Sequence, residues 1–208
     1  MTSKLLVATR SSGKQREIRP LLADIPHHIV FPEEHGIWPD VAEDALEDTG
    51  SFEGNARRKA EYFAKRSGLP TVAEDSGLEV FALGGEPGVR SRRFALPTAD
   101  PNDQDEANNN ELLRRLAGAP EARRRGRYRC VVVFLDRHDG VPHVFEGACA
   151  GRILDRRMGS GGFGYDPLFF ADDLGKSFGD ASQQEKDSVS HRGRAFRALV
   201  EWIQSRAP

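Results

Sequence analysis

The chain has 208 residues, 38% of them hydrophobic, and its 30 lysines and arginines nearly balance its 32 aspartates and glutamates. That length is typical of one large or two small domains, and the lack of a low-complexity linker favours a single domain over residues 1–208. No apolar run approaches the roughly 18 residues of a membrane span, and balanced charge argues against a nucleic-acid or anionic-membrane surface. Cys130 and Cys149 form neither a zinc motif nor a disulfide framework, which favours the reducing cytoplasm.

Short apolar runs alternate with segments of helical periodicity along the chain. Strands are predicted at residues 5–8, 28–31, 71–73, 78–83, 128–135 and 144–150. Helices are predicted after the first loop as far as residue 23 and at residues 52–66, 103–116 and 190–206, and residues 32–50 form an acidic loop. This order predicts an α/β unit with a mixed sheet and two lobes around a cleft.

The first candidate site lies where the first strand meets the first helix. It comprises Thr9, Arg10, Ser11, Ser12, Gly13 and Lys14. Backbone N–H groups at a helix start, the helix dipole, the hydroxyls and the lysine ammonium all suit an anion. The spacing of a P-loop is absent, so an ordinary strand–helix turn remains an alternative.

The second candidate site is the sequence Glu74-Asp75-Ser76-Gly77, which follows a predicted buried strand. Buried carboxylates are costly unless they are paired or bind a metal. Two carboxylates with a hydroxyl suit Mg²⁺, which prefers hard oxygen ligands. A solvated turn is the alternative.

The third candidate site is the glycine-rich loop at residues 159–167. Its glycines let the backbone approach a ligand closely, and Phe163 and Tyr165 could stack on a flat ring. Asp166 could accept hydrogen bonds from ring N–H groups. A flexible linker is the alternative, although linkers rarely carry aromatic residues.

The fourth candidate site is a cluster of donors next to the start of the last helix. Its members are Lys186, Ser190, His191 and Arg192. Cations at the positive end of a helix are mildly unfavourable and bring no evident folding benefit here, which indicates an anionic or acceptor ligand. A structural or surface role for His191 is the alternative.

Together these segments resemble the inosine/xanthosine triphosphate pyrophosphatase family. The matching stretches are ATRSSGKQREI, EDTGSFEGNARRKA, AEDSGLEVFALGGEPGVRS, GGFGYDP and KDSVSHRGRA. The resemblance implies Mg²⁺-dependent cleavage of noncanonical purine nucleoside triphosphates between the α and β phosphates, which sanitises the nucleotide pool. It also implies an elongated mixed β-sheet flanked by helices, two lobes around a central active-site cleft, and a homodimer.

The resemblance also implies roles for individual residues. Residues 9–14 would hold the triphosphate, supported by Asn55 and Lys59. Glu47 and Asp75 would bind Mg²⁺, and Asp75 would also act as the base for the attacking water.

The remaining implied roles concern the nucleoside. Ser76 would touch the substrate, and Phe163 would be the ring that stacks on the purine. The frame of the purine would be Phe163, Gly164, Tyr165 and Asp166, and the base pocket would be completed by Lys186, His191 and Arg192.

Three positions depart from the family pattern: Ser11 replaces an asparagine, Glu74 an aspartate and Gly54 a glutamate. The spacing from Thr49 to Asn55 is also one residue shorter. Two alternatives therefore stay open: a nucleotide-binding module without turnover, and a related pyrophosphatase that acts on modified pyrimidine nucleotides.

Overall fold

A seven-stranded sheet organises the computed structural model, which describes residues 3–100, 103–136 and 140–206. The strands are β1 (Ser3–Val7), β2 (His27–Val30), β3 (Thr71–Val80), β4 (Arg125–Leu135), β5 (Pro142–Ile153), β6 (Phe169–Ala171) and β7 (Lys176–Ser177). Their order is β2-β1-β3-β4-β5-β6-β7. Strand β1 pairs in parallel with β2 and β3, whereas β6 pairs antiparallel with β5 and β7. The predicted α/β class with a mixed sheet is confirmed.

Five α-helices accompany the sheet within the described residues. They are α1 (Ser12–Leu21), α2 (Phe52–Ser67), α3 (Gln104–Arg115), α4 (Gln183–Val189) and α5 (His191–Ser205). Local capping explains several of their starts: the Ser51 side chain accepts from the N–H of Gly54, and Ser182 and Glu185 form a capping box at α4. In the part of the chain that the structure describes, no helix has the length and apolar character needed to cross a membrane.

The largest difference from the sequence prediction lies in β3. Two strands with a turn at residues 74–77 were expected, but β3 runs unbroken from Thr71 to Val80. Glu74 and Asp75 therefore lie inside a strand, where both are buried. The turn was expected because carboxylates usually avoid buried strands. Paired cations, described below, remove that objection.

Other differences are confined to short elements. Helix α4 was not predicted, and it places Lys186 inside a helix rather than before one. The acidic segment contains two 3-10 turns, Glu33–His35 and Val41–Glu47. Strands β6 and β7 were also missed, because two or three residues carry too little periodicity to reveal a strand.

The chain divides into two compact units within β3, β4 and β5. Unit 1 comprises the chain up to Asp75, residues Cys130–Gly147 and the chain from Arg192. Unit 2 comprises Ser76–Arg129 and Ala148–His191. The predicted cleft and the single-domain assignment stay predictions.

Each unit has its own apolar core. In unit 1, β1 is buried on both sides: Leu5 and Val7 belong to one cluster with α1 and α5, and Leu6 belongs to another with α2, together with Ala8 just after the strand. A strand that is covered on both faces reads as a continuous apolar run, as this strand does. The core of unit 2 includes Leu112 of α3 and residues of β4, β5 and β6.

Replacing Leu112 by alanine tests the core of unit 2. Leu112 is 0% exposed, so Leu112→Ala should lower the free energy of unfolding by about 2–5 kcal/mol, measured by urea denaturation. Leu96, which is 87% exposed in the same unit, is the matched control, and Leu96→Ala should change stability by less than about 0.5 kcal/mol. Equal effects of the two substitutions would contradict the described packing.

Candidate active site

Glu74 is a buried carboxylate in β3 that three other elements of unit 1 contact. The ammonium of Lys14 contacts Glu74 Oε1, and Arg192 Nη2 lies 3.5 Å from Oε2. The thiol of Cys130 donates to Oε2 over 3.3 Å. Burial by itself would raise the pKa of Glu74, but Lys14 and Arg192 outweigh burial and hold this pKa well below its ordinary value. Glu74 is therefore ionised and compensated inside the protein.

Arg192 has a second buried partner in unit 1. Its guanidinium contacts the carboxylate of Glu17 in α1, and both side chains are 3% exposed. The cation at a helix start indicated an anionic or acceptor ligand, and the family resemblance implied a base-pocket role for Arg192, which stays a prediction. In the structure Arg192 neutralises two buried carboxylates that are distant in the sequence, so this cation does bring a folding benefit.

Asp75, the next residue of β3, accepts one hydrogen bond on each carboxylate oxygen. Asn55 Nδ2 donates to Oδ2 and Lys59 Nζ donates to Oδ1, both over 2.9 Å. Lys59 Nζ also donates to Glu47 Oε1 over 2.9 Å. Burial raises the pKa of Asp75, even though the nearby Lys59 ammonium opposes this. At Lys59 burial would lower the pKa, but the carboxylates of Asp75 and Glu47 outweigh it and raise that pKa above its ordinary value. Asn55 and Lys59, which lie on successive turns of α2, thus orient the Asp75 carboxylate.

The residues around Lys59 fit a magnesium ion. Carboxylate oxygens of Glu47 and Asp75 converge on the single Lys59 ammonium, so the trio carries a net negative charge. Among the described residues, no three His, Cys, Asp or Glu side chains form a metal cluster. Mg²⁺ is commonly held by one or two carboxylates, with phosphates and waters as its other ligands. Glu47 and Asp75 match that pattern.

The loop between β1 and α1 presents the donors expected of an anion site. Ser11 caps α1 by accepting from the N–H of Lys14 over 3.4 Å, and Thr9 Oγ1 accepts from the N–H of Ser11 over 3.3 Å. Ser12 and Gly13 begin α1, where backbone N–H groups lack acceptors within the helix. The local backbone is therefore suited to bind an anion.

Arg10 is engaged elsewhere. Its Nη1 donates to Glu33 Oε1 over 2.7 Å and to the carbonyl of Ile37 over 3.2 Å. Its Nε and Nη2 donate to the two carboxylate oxygens of Glu43. Arg10 thus fastens the acidic segment to the first loop, a role that the sequence did not indicate.

A second group of predicted residues lies in unit 2, around Asp166. Asp166 is 2% exposed, and its Oδ2 accepts from the N–H of Phe163 over 2.9 Å and contacts the ammonium of Lys186. That ammonium lies 5.1 Å from the centroid of the Phe163 ring. Gly162 has φ 76°, and a Cβ there would lie 2.0 Å from Asp166 Oδ2, so only glycine lets the loop close over this carboxylate.

Two residues of α3 that the sequence did not single out hold the same loop. Asp105 Oδ2 accepts from the N–H of Gly164 over 2.8 Å, and Asn109 Nδ2 donates to the carbonyl of Gly164 over 2.9 Å. Asp105 and Asn109 are four residues apart and so share one helix face. That spacing was the only available signal, and it is common on solvated helices.

Tyr165 and His191 are both buried, and each ring packs inside unit 2. Tyr165 is 3% exposed in the core of unit 2, and its hydroxyl donates to the carbonyl of Ser91 over 2.7 Å. Of the two loop aromatics, this leaves Phe163 as the ring that could stack on a ligand. His191 is buried and stacks on Tyr128 with centroids 4.6 Å apart and planes at 9°.

The predicted site residues thus form two groups, one in each unit. Unit 1 contains Thr9, Arg10, Ser11, Ser12, Gly13, Lys14, Glu47, Asn55, Lys59, Asp75 and Arg192. Unit 2 contains Ser76, Phe163, Gly164, Tyr165, Asp166, Lys186 and His191.

Similarity to known proteins decides the family. The model of the Ham1 family matches residues 5–202. This chain belongs to the Ham1 family. A dITP/XTP pyrophosphatase of Methylococcus capsulatus is 43% identical over 207 residues, covering 99% of this chain and 98% of that protein. One from Pectobacterium atrosepticum is 42% identical over 205 residues, covering 97% and 98%.

Solved structures agree with this assignment to the Ham1 family. The Ham1 protein of Staphylococcus aureus is similar in fold with a TM-score of 0.83 and 34% identity, covering 99% of this chain and 100% of that one. The family resemblance inferred from the motifs is therefore confirmed.

Arg192 offers a test of the buried charges. Arg192→Met leaves Glu17 and Glu74 without their shared cation and should lower the free energy of unfolding by about 3–5 kcal/mol. The ionised Glu74 contributes stability above the pKa of an unfolded glutamate and loses it as the pH falls through its lowered folded pKa. Since Arg192→Met raises that folded pKa, acid unfolding, followed by circular dichroism, should begin at a higher pH.

The matched control is Arg125→Met, which removes the partner of Asp172 at a more exposed ion pair of unit 2. We expect it to change stability by less than about 1 kcal/mol. If Arg192→Met costs no more than this control, the buried pairs do not stabilise unit 1.

Proposed function

We propose that this chain hydrolyses noncanonical purine nucleoside triphosphates, such as ITP, dITP and XTP, to the nucleoside monophosphate and pyrophosphate. The observation that carries the proposal is its similarity, over nearly its whole length, to proteins named dITP/XTP pyrophosphatase. The reaction would remove these nucleotides from the nucleotide pool. The two groups of site residues supply separate parts of the chemistry.

Unit 1 carries the phosphate chemistry in this proposal. A triphosphate brings about four negative charges, which must be stabilised during transfer. The N-terminus of α1, the hydroxyls of Thr9, Ser11 and Ser12, and the ammonium of Lys14 would bind these charges. Glu74 contacts that ammonium and limits its movement.

Asp75 is the proposed general base. As water attacks and the bond between the α and β phosphates breaks, Asp75 takes a proton from the water and pyrophosphate leaves. The raised pKa of Asp75 makes its carboxylate a stronger base than that of an ordinary aspartate. Asn55 and Lys59 orient it by donating to opposite oxygens.

Glu47 and Asp75 are the residues that would hold Mg²⁺. The ion, when bound, would neutralise phosphate charge and orient the leaving group. A cation next to Asp75 would also favour the ionised carboxylate, and Asp75 must be ionised to act as a base.

Unit 2 carries recognition of the base in this proposal. Phe163 would stack on the purine, and Lys186 and His191 would donate toward the 6-keto oxygen of hypoxanthine or xanthine. Adenine has an amino group at that position, so it would leave buried donors without acceptors. Asp166 holds the ammonium of Lys186 and the N–H of Phe163 in place.

The setting of the reaction is also part of the proposal. We assign the chain to the cytoplasm, as one functional domain that acts as a homodimer and binds neither nucleic acid nor membrane. The near balance of 30 cations and 32 carboxylates supports the last point, since a polyanion-binding surface needs an excess of cations.

The decisive assay measures pyrophosphate released from ITP in the presence of MgCl₂. Asp75→Asn keeps the size of the side chain but removes the base, so kcat should fall at least about a hundredfold. Removing the metal with EDTA should also abolish turnover. Asp24→Asn, at an exposed position of unit 1, is the control and should retain wild-type activity.

Other results would select the alternatives. Tight ITP binding without Mg²⁺-dependent hydrolysis would indicate a nucleotide-binding module. Preference for modified pyrimidine triphosphates in the same substrate panel would indicate the related pyrophosphatase. Release of single phosphates would contradict cleavage between the α and β phosphates.

Asn109 tests the link between α3 and base recognition. Asn109→Ala removes a donor to Gly164 and loosens the loop that carries Phe163, so the KM for ITP should rise about tenfold while kcat changes little. The adjacent exposed Asn110 is the control, because Asn110→Ala removes only a contact with Arg157. Equal kinetics of the two variants would show that α3 does not position the loop.

A further inference from the structure

We propose that Thr49 is a positioning residue, which fixes the amide of Asn55 and, through it, the carboxylate of Asp75. The inference rests on the proposed function, in which Asp75 is the base. Neither composition nor motif spacing pointed to this role of Thr49. It follows from hydrogen bonds that join the end of the acidic segment, α2 and β3 within unit 1.

Two donors of Thr49 meet on one oxygen of Asn55. The backbone N–H of Thr49 donates to Asn55 Oδ1 over 3.1 Å, and Thr49 Oγ1 donates to the same oxygen over 2.7 Å. On the other side of the amide, Asn55 Nδ2 donates to Asp75 Oδ2 over 2.9 Å. The amide therefore connects Thr49 to the base.

This arrangement determines which way the amide faces. The oxygen and the NH₂ group of an asparagine are nearly equal in shape, so packing alone does not distinguish them. A rotated amide would place its NH₂ against the backbone N–H of Thr49, which can only donate, and its oxygen against the Asp75 carboxylate. The Thr49 hydroxyl reinforces the present orientation by donating to Oδ1. Asn55 is 0% exposed, so water could not compensate for these mismatches.

The side chain of Asp75 depends on that orientation. Its Oδ1 accepts from Lys59, and its Oδ2 accepts from Asn55. The terminal torsion of an aspartate has a broad energy well, so a single donor holds the carboxylate plane less firmly than two. Loss of the Asn55 donor should therefore impair the chemical step more than substrate binding.

Gly54 provides the space that Thr49 requires. Gly54 lies in the first turn of α2, and a Cβ at this position would lie only 2.3 Å from Thr49 Oγ1. Glycine inside a helix lowers helix stability, so a local cost accompanies the close approach. The absence of a side chain at Gly54 thus lets the Thr49 hydroxyl reach the Asn55 amide.

Thr49→Val is the direct test, because valine keeps the shape and the backbone N–H but removes the hydroxyl. With ITP and MgCl₂, kcat should fall about tenfold while KM changes less than twofold. Thr49→Ser, which restores the hydroxyl, should recover most of the wild-type kcat. Gly54→Ala should lower kcat in the same way, because its methyl group displaces the Thr49 side chain.

The matched control is Ser51→Ala at the start of the same helix. Ser51 caps α2 by accepting from the N–H of Gly54 over 3.0 Å. Its loss should lower the melting temperature without lowering kcat. If Thr49 acted only by stabilising α2, Thr49→Val and Ser51→Ala would show the same kinetics, and the inference would be wrong.

A double-mutant cycle tests whether Thr49 acts through Asn55. In an Asn55→Ala background, adding Thr49→Val should cause no further loss of kcat. A further tenfold loss in that background would overturn the inference. If Asn55→Ala does not fold, the comparison of kcat between Thr49→Val and Ser51→Ala decides the inference, and equal values would overturn it.

The two proposals fail in different ways. If the wild-type chain releases no pyrophosphate from ITP, the proposed function is wrong. If the wild type is active and Thr49→Val retains its full kcat, the proposed function stands and only the positioning role is wrong.

Discussion

Unit 1 depends on keeping the carboxylate of Glu74 ionised inside the protein. An unpaired buried charge would cost more free energy than the net stability of a small domain, whereas a paired buried charge is tolerated. Lys14 comes from the start of α1 and Arg192 from the start of α5, so neutralising Glu74 in β3 fastens both helices to the sheet. Glu17 then compensates the second side of Arg192.

The same pairing of a buried carboxylate with a cation recurs at Asp75 and Asp166. Three of the six lysines of the chain, Lys14, Lys59 and Lys186, contact the buried carboxylates of Glu74, Asp75 and Asp166 respectively. In each case the ion pair offsets the cost of burial and limits the freedom of both side chains. Near-neutral net charge therefore conceals local pairs of buried opposite charges.

Much of this organisation was visible in the sequence, but the partners of the charges were not. Local patterns predicted the first loop, the helix that carries Asn55 and Lys59, and most of the longer strands and helices, but not α4, β6 or β7. They did not predict the continuity of β3, the pairing of Arg192 with Glu17, or the role of α3 in holding Gly164. Each of these depends on residues far apart in the chain, for example the 175 positions between Glu17 and Arg192, and no local periodicity records such contacts.

The sequence by itself determined the class of fold and the family, because apolar periodicity and short motifs are local properties of a chain. Only the tertiary structure decided which donor meets which acceptor. It placed Tyr165 in a core and Arg192 in a buried ion network, and it brought Thr49 to the amide of Asn55. The reason is physical: pairing energies of buried charges and hydrogen bonds depend on distance and desolvation in space, and folding alone sets both.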